Sequence, residues 1–132
     1  MIVDADKQIM GRLSSSVASI ILKGEEVKII NCEKAVISGR PENTVNKYLK
    51  KKEIGDPRHG PHTSLRPENI LRDSIKGMLP KRKKRGKEAL RKLEIVRGNP
   101  DGEEGEKIAK GTDKLTTNYI TVGELSQRIG GK

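Results

Sequence analysis

Lys81-Arg82-Lys83-Lys84-Arg85 sets five cations in a row, and between Lys76 and Lys92 the only acidic side chain is Glu88. Like charges held together in a folded chain repel one another. A phosphate backbone relieves that repulsion by exchanging its counterions for protein cations. The chemistry on offer is therefore the binding of a polyanion, although a solvated basic loop or a localisation signal has the same composition. The run follows a predicted helix and Pro80 and lies within a domain rather than on a tail, which favours a presented loop. A second basic group gathers Lys47, Lys50, Lys51 and Lys52, then Arg58, His59, His62 and Arg66. Lys47 and Lys51 are i,i+4 neighbours on a predicted helix, with Lys50 beside them. Arg58-His59-Gly60-Pro61-His62 combines backbone freedom with donors suited to phosphates or base edges. Taken singly, these lysines fit a solvated helix face equally well.

Other chemistries lack their parts. His59 and His62 have H-x-x-H spacing, but Cys32 is the only thiol. A structural zinc site takes four suitable ligands, so no metal is expected. The first strand-to-helix turn, Asp6 to Arg12, holds one glycine and lacks the G-x-G-x-x-G of dinucleotide sites. No G-x-x-x-x-G-K-[ST] loop occurs either. Ser14, Ser15 and Ser16 sit in a helical pattern with no nearby base, so they read as packing or surface residues rather than nucleophiles. Asp4 and Asp6 read as structural hydrogen-bonding groups near the turn. The expectation is a protein that is not an enzyme, with no cofactor and no small-molecule substrate.

These groups need a scaffold, and the composition limits it. The chain has 132 residues, 32% hydrophobic and 35% charged, which suits a single domain, 1–132, with a modest core. Lys and Arg number 28 against 18 Asp and Glu, a net charge of +10, so a partner of opposite sign is expected. Phe and Trp are absent and only Tyr48 and Tyr119 are aromatic, so aliphatic residues must build the core. The longest apolar runs, Ser19-Ile20-Ile21-Leu22 and Lys28-Ile29-Ile30, are far too short to span a membrane. No charged-then-apolar leader opens the chain, and the lone Cys32 is consistent with a reducing cytosol. Two distant tyrosines cannot make the base-stacking platform of single-strand binders, and the mixed pattern does not suit an all-α DNA reader. Recognition of folded RNA by shape and phosphate contacts remains.

Met1 to Ala5 reads as a strand, Gly11 to Lys23 as a helix with Leu13, Val17, Ile20 and Ile21 on one stripe, and Glu26 to Ile30 as a second strand. Gly24 suits the helix C-terminus. Strand, helix, strand over about thirty residues predicts a βαβ unit with parallel strands. Helices are expected from Pro41 to Lys52 and from Pro67 until Pro80 stops the second. A basic loop at about 76–92 then holds a short helix around Glu88 to Lys92. A strand at Leu93 to Val96, an acidic Gly-rich surface loop at about 99–106, a strand at Tyr119 to Val122 and a helix from Gly123 to Ile129 complete the expectation.

Asp4-Ala5, Gly11-Arg12-Leu13-Ser14-Ser15, Val27 to Glu33, Ser38-Gly39, Gly60-Pro61-His62, Arg66-Pro67, Ile75 to Pro80 and Arg85 to Leu93 follow one another in a set order. That series resembles the family of the universal large-subunit ribosomal protein thirteen, over most of residues 2–100. Gly77-Met78-Leu79-Pro80 followed by a basic run and Arg85-Gly86 is its most specific part. The start at the first strand and the ending Ile120 to Leu125 resemble archaeal members. Cys32 stands where alanine is common in the family, and the acidic loop has no family role to carry over. The resemblance implies a three-layer α/β/α fold with a mostly parallel four-stranded core sheet. It implies large-subunit ribosomal RNA and neighbouring ribosomal proteins as partners, an assembly role, and residence in the cytoplasmic ribosome. The RNA contacts it implies are Arg12, Lys50, Lys51, Lys52, Arg58, His59, His62, Arg66, Arg72, Lys76, Lys81, Arg82, Lys83, Lys84, Arg85, Lys87 and Arg91, with Gly77 to Pro80 setting the angle of the basic loop. Two alternatives stand beside it: a free-standing regulator of messenger RNA or DNA, and an enzyme on a nucleotide-binding α/β scaffold.

Overall fold

The computed structural model describes residues 1–53, 66–80, 82–108 and 118–129. Strand β1 (Ile2–Asp4) leads into helix α1 (Met10–Leu22), and the chain returns through β2 (Val27–Ile30). The pairing is parallel, with Ile2 opposite Lys28 and Val3 opposite Ile29, so the predicted βαβ unit forms. Leu13, Val17 and Ile21 are fully buried, and Ile20 packs against the core from its edge. Gly24 ends the helix at φ +100°, where its N–H donates to the Ile21 carbonyl at 3.1 Å. A side chain would strain that backbone, which is why glycine suits the position.

A single 3-10 turn at Cys32–Lys34 then leads to β3 (Val36–Ser38) and α2 (Pro41–Glu53). Helices α3 (Pro67–Gly77) and α4 (Lys84–Leu90) precede β4 (Leu93–Ile95); β5 (Tyr119–Thr121) and α5 (Val122–Arg128) come last. Strand β4 joins the free side of β2 in parallel, giving the order β1-β2-β4. Among the described residues the parallel sheet therefore has three strands. A single parallel bridge between Val3 and Glu106 adds one rung beyond β1. Strands β3 and β5 form a separate antiparallel pair, which Ile9 reaches by a bridge to Val36. The expected strand near Tyr119 is present; β3 was not foreseen. Helix α4 begins at Lys84, earlier than the expected start near Glu88, so the basic run is partly helical.

The core is aliphatic, as the absence of Phe and Trp requires. Leu13, Ile21, Ile29, Leu71, Ile75, Ile120 and Leu125 are its largest members, and α1 packs against α3 and α4. Ser14, buried on α1, donates its hydroxyl to Ser74 Oγ of α3 at 2.9 Å, a packing bond between helices. Asp4 accepts from the Asp6 N–H at 2.9 Å and from the Asn31 amide at 3.1 Å, the structural part expected of a carboxylate at this turn. The Cys32 thiol is buried, and desolvation, with the negative charges of Glu33 and Glu68, pushes it up to about 12.

The acidic loop, without an assigned part in the sequence, has a structural one. Lys28 lies mid-sheet between Ile2 and Glu94, and its ammonium donates to Glu103 at 2.6 Å and Asp101 at 3.0 Å. Those bonds raise the Lys28 pKa and hold Asp101 below its usual range. Asn99 closes the loop by accepting from the Glu103 N–H and donating to its carbonyl. A second long-range pair joins the Arg97 Nε–H to both Glu68 oxygens, at 2.9 and 3.0 Å. Burial raises the Glu68 pKa, but the Arg97 bond, a backbone N–H and the charges of Arg97 and Arg66 outweigh it and leave the group lowered. A carboxylate lowered on folding contributes stability that is present above its unfolded pKa and lost as pH falls through the folded one. Thermal unfolding of Glu68→Gln should therefore depend less on pH than the natural protein below about pH 5. Parallel melting curves over that range would contradict this account.

Candidate nucleic-acid interface

Helix α3 starts at Pro67, whose missing N–H costs nothing in the first turn. Its apolar residues Ile70, Leu71 and Ile75 face the core, which turns Arg72 and Lys76 outward, one helical turn apart. The chain then bends: Met78 N–H donates to the Ile75 carbonyl and Leu79 N–H to that of Lys76, while the Leu79 side chain is buried. Pro80 presents its carbonyl to the Lys83 N–H at 3.1 Å, and α4 sets off. Gly86 lies so close under this bend that a Cβ there would stand 2.1 Å from the Pro80 carbonyl oxygen. Only a residue without a side chain lets α4 pack at this angle. Gly86→Ala must push two backbone segments apart, a form of overpacking that costs about 1–3 kcal/mol or more. The expected result is a lower melting temperature together with weaker polyanion binding; unchanged melting would show that the bend can open freely.

The bend at Leu79-Pro80, with α3 and α4 each packed on α1, brings four expected contact residues together. Arg72 and Lys76 from α3, Lys87 from α4 and Arg91 at its C-cap line one groove of about 580 Å³ together with Leu79, Gly86 and Leu90. All four cations are exposed. Each helix carries its pair at i,i+4, an arrangement that destabilises an isolated helix by about 0.2–0.5 kcal/mol per pair. The ion pairs formed among the described residues leave all four out. Arg82, Lys83, Lys84 and Arg85 are exposed at the start of α4, and Lys84 makes only a loose 3.8 Å pair with Glu88. The geometry suits an anion with charges spaced along the groove.

The remaining expected contacts are dispersed. Arg12 is exposed in the first turn of α1, Arg66 is exposed at the cap of α3, and Lys50 is exposed on α2, which continues through Lys51 and Lys52. Arg58, His59, His62 and Lys81 lie outside the described residues. Sequence reasoning missed a second cleft of about 380 Å³, where Arg40 and Arg128 meet beside Asn118. These residues are distant in sequence and form no basic run, so no local signal could have found them. Among the described residues no cluster of His, Cys, Asp and Glu is placed to hold a metal, and no helix is long and apolar enough to cross a membrane.

A mixed α/β domain with exposed cations lining a groove has the charge to hold a polyanion. The family model for Ribosomal protein L13 matches residues 1–101, and the chain belongs to this family. Relatives extend the likeness over the full length. The chain is 45% identical to the large ribosomal subunit protein uL13 of Thermoplasma acidophilum, over 98% of each chain. It is 42% identical to that of Methanococcus maripaludis, over 100% of this chain and 98% of the relative. For Haloarcula marismortui the identity is 44%, over 98% and 90%.

Proposed function

We propose that this chain is a structural constituent of the large ribosomal subunit, where it binds large-subunit ribosomal RNA and supports assembly. It works in the cytoplasm beside neighbouring ribosomal proteins, as one domain over 1–132, and is not an enzyme. The observation that carries the reading is the groove between α3 and α4, lined by four exposed cations that no described ion pair uses. The proposed contacts also include Arg12, Lys50 to Lys52, Arg58, His59, His62, Arg66 and the run Lys81 to Arg85, on the ground of the sequence alone. Phosphate contacts of this kind position the protein without reading sequence. The three-layer fold with four core strands belongs to the same reading, supported by the β1-β2-β4 order and the rung at Glu106.

Replacing Lys81, Lys83 and Lys84 with Gln removes three charges and keeps long polar side chains, so the fold should survive. If all three touch phosphates, the slope of log K against log salt for ribosomal RNA shrinks by about 2–3 units. A solvated loop acting at long range predicts a small loss confined to low salt, where the Debye length is about 30 Å rather than 8 Å. An unchanged slope removes the run from the contact surface. Failure of the natural protein to co-sediment with the large subunit at moderate salt overturns the whole reading.

A further inference from the structure

A surface that touches only phosphates needs charge and has no use for an apolar floor. The groove has both: Leu79 and Leu90 line it together with Arg72, Lys76, Lys87 and Arg91. Leu90 is half-buried and Leu79 nearly covered, so the floor is fixed by the fold rather than by a loose side chain. At about 580 Å³ the groove falls within the range of clefts that hold small organic groups, roughly 300–1,000 Å³. Among the described residues no carboxylate lines it, so the charge they give it complements an anion.

We propose that the groove takes one unpaired nucleotide extruded from an RNA helix, its base laid on Leu79 and Leu90 and its flanking phosphates held by the four cations. The inference rests on the RNA-binding reading above and deepens it. A paired base has its faces buried in the stack and presents only edges to a protein. A bulged or looped-out base exposes an apolar face, which the leucines shield from water. The guanidinium planes of Arg72 and Arg91 suit the other face, because Arg stacks on unpaired bases where aromatic residues are lacking. The chain has only two tyrosines and no Phe or Trp, so an aliphatic floor framed by arginines is the platform it can offer. An acidic peptide would satisfy the charges as well, and competition with one separates the two occupants.

The test uses the full-length protein and two RNA hairpins with the same stem, one fully paired and one carrying a single unpaired 2-aminopurine. The bulged hairpin should bind roughly tenfold tighter, in line with the energy of stacking one base. Its 2-aminopurine should become protected from acrylamide quenching. Leu90→Asn should abolish the preference, bringing affinity for the bulged hairpin down to that for the paired one; a preference that survives the change overturns the inference. If that variant melts early, the quenching measurement on the natural protein decides alone. Equal affinity for the two hairpins, or an unprotected base, overturns the inference while steep salt dependence keeps the RNA reading intact. Displacement of both hairpins by a poly-glutamate peptide of matched charge, at matched affinity, assigns the groove to acidic protein segments instead. Absence of salt-sensitive binding to either hairpin overturns both readings together.

Discussion

Converting Arg72, Lys76, Lys87 and Arg91 together to Gln should weaken ribosomal RNA binding by roughly 10³-fold at physiological salt. Each phosphate contact contributes about 0.7–0.9 to the slope of log K against log salt, so four lost contacts shrink it by about 3–4 units. The substitutions should leave the fold intact. All four side chains are exposed, none joins an ion pair among the described residues, and each helix loses a repulsive i,i+4 neighbour. Stability of the free protein should hold or rise slightly while affinity collapses. That opposition separates a binding role from a structural one. A variant that melts early and binds weakly would show that the cations stabilise the fold, and a variant that binds normally would leave the groove empty of RNA.

Ile21→Ala should act in the opposite way. Ile21 is 1% exposed, on the stripe of α1 that also carries Leu13 and Val17. Truncating a fully buried isoleucine costs about 2–5 kcal/mol, through lost transfer energy and the cavity left behind. For a domain of this size that corresponds to a fall in melting temperature of roughly 8–20 °C. It is also a large share of a total stability of about 5–15 kcal/mol. Affinity per folded molecule should not change, because Ile21 is buried and lines neither cleft. Excess RNA should restore much of the lost stability, since a ligand that binds only the folded state stabilises it by mass action. Near-natural melting of Ile21→Ala would mean that the α1 stripe does not face the core.

Much of this scaffold was legible because its signals are local. Leu13, Val17 and Ile21 repeat with the period of a helix, Pro67 and Pro80 punctuate α3, and Gly24 marks a helix end. What escaped depends on partners far along the chain. Strand β3 has three residues beside the break at Ser38-Gly39, and its pairing is with β5, remote in sequence. The early start of α4 opposes the self-repulsion of its cations and follows from the fit of Gly86 beneath Pro80, which no helical period encodes. Nothing near Lys28 announces Asp101 and Glu103, and nothing near Glu68 announces Arg97. The candidate site divides in the same manner. The basic run was visible as a block, whereas the groove exists only once α3 and α4 have both docked on α1.

The order of strand pairing carries a kinetic consequence. Ile2 pairs with Lys28 early in the chain, but Lys28 meets Glu94 only after a long crossover, and Val3 meets Glu106 later still. That crossover contains α3 and α4, and with them the whole groove. Pairings between distant segments are slow, because loop-closure entropy is lost before the contacts reward it. During synthesis the N-terminal βαβ unit can form while the rest of the chain is still emerging, and domains mature in roughly that direction. The cationic surface is then assembled after the N-terminal unit and before β5 closes on β3. A nascent chain in which α3 and α4 have not yet docked on α1 presents scattered positive charge instead of an organised site.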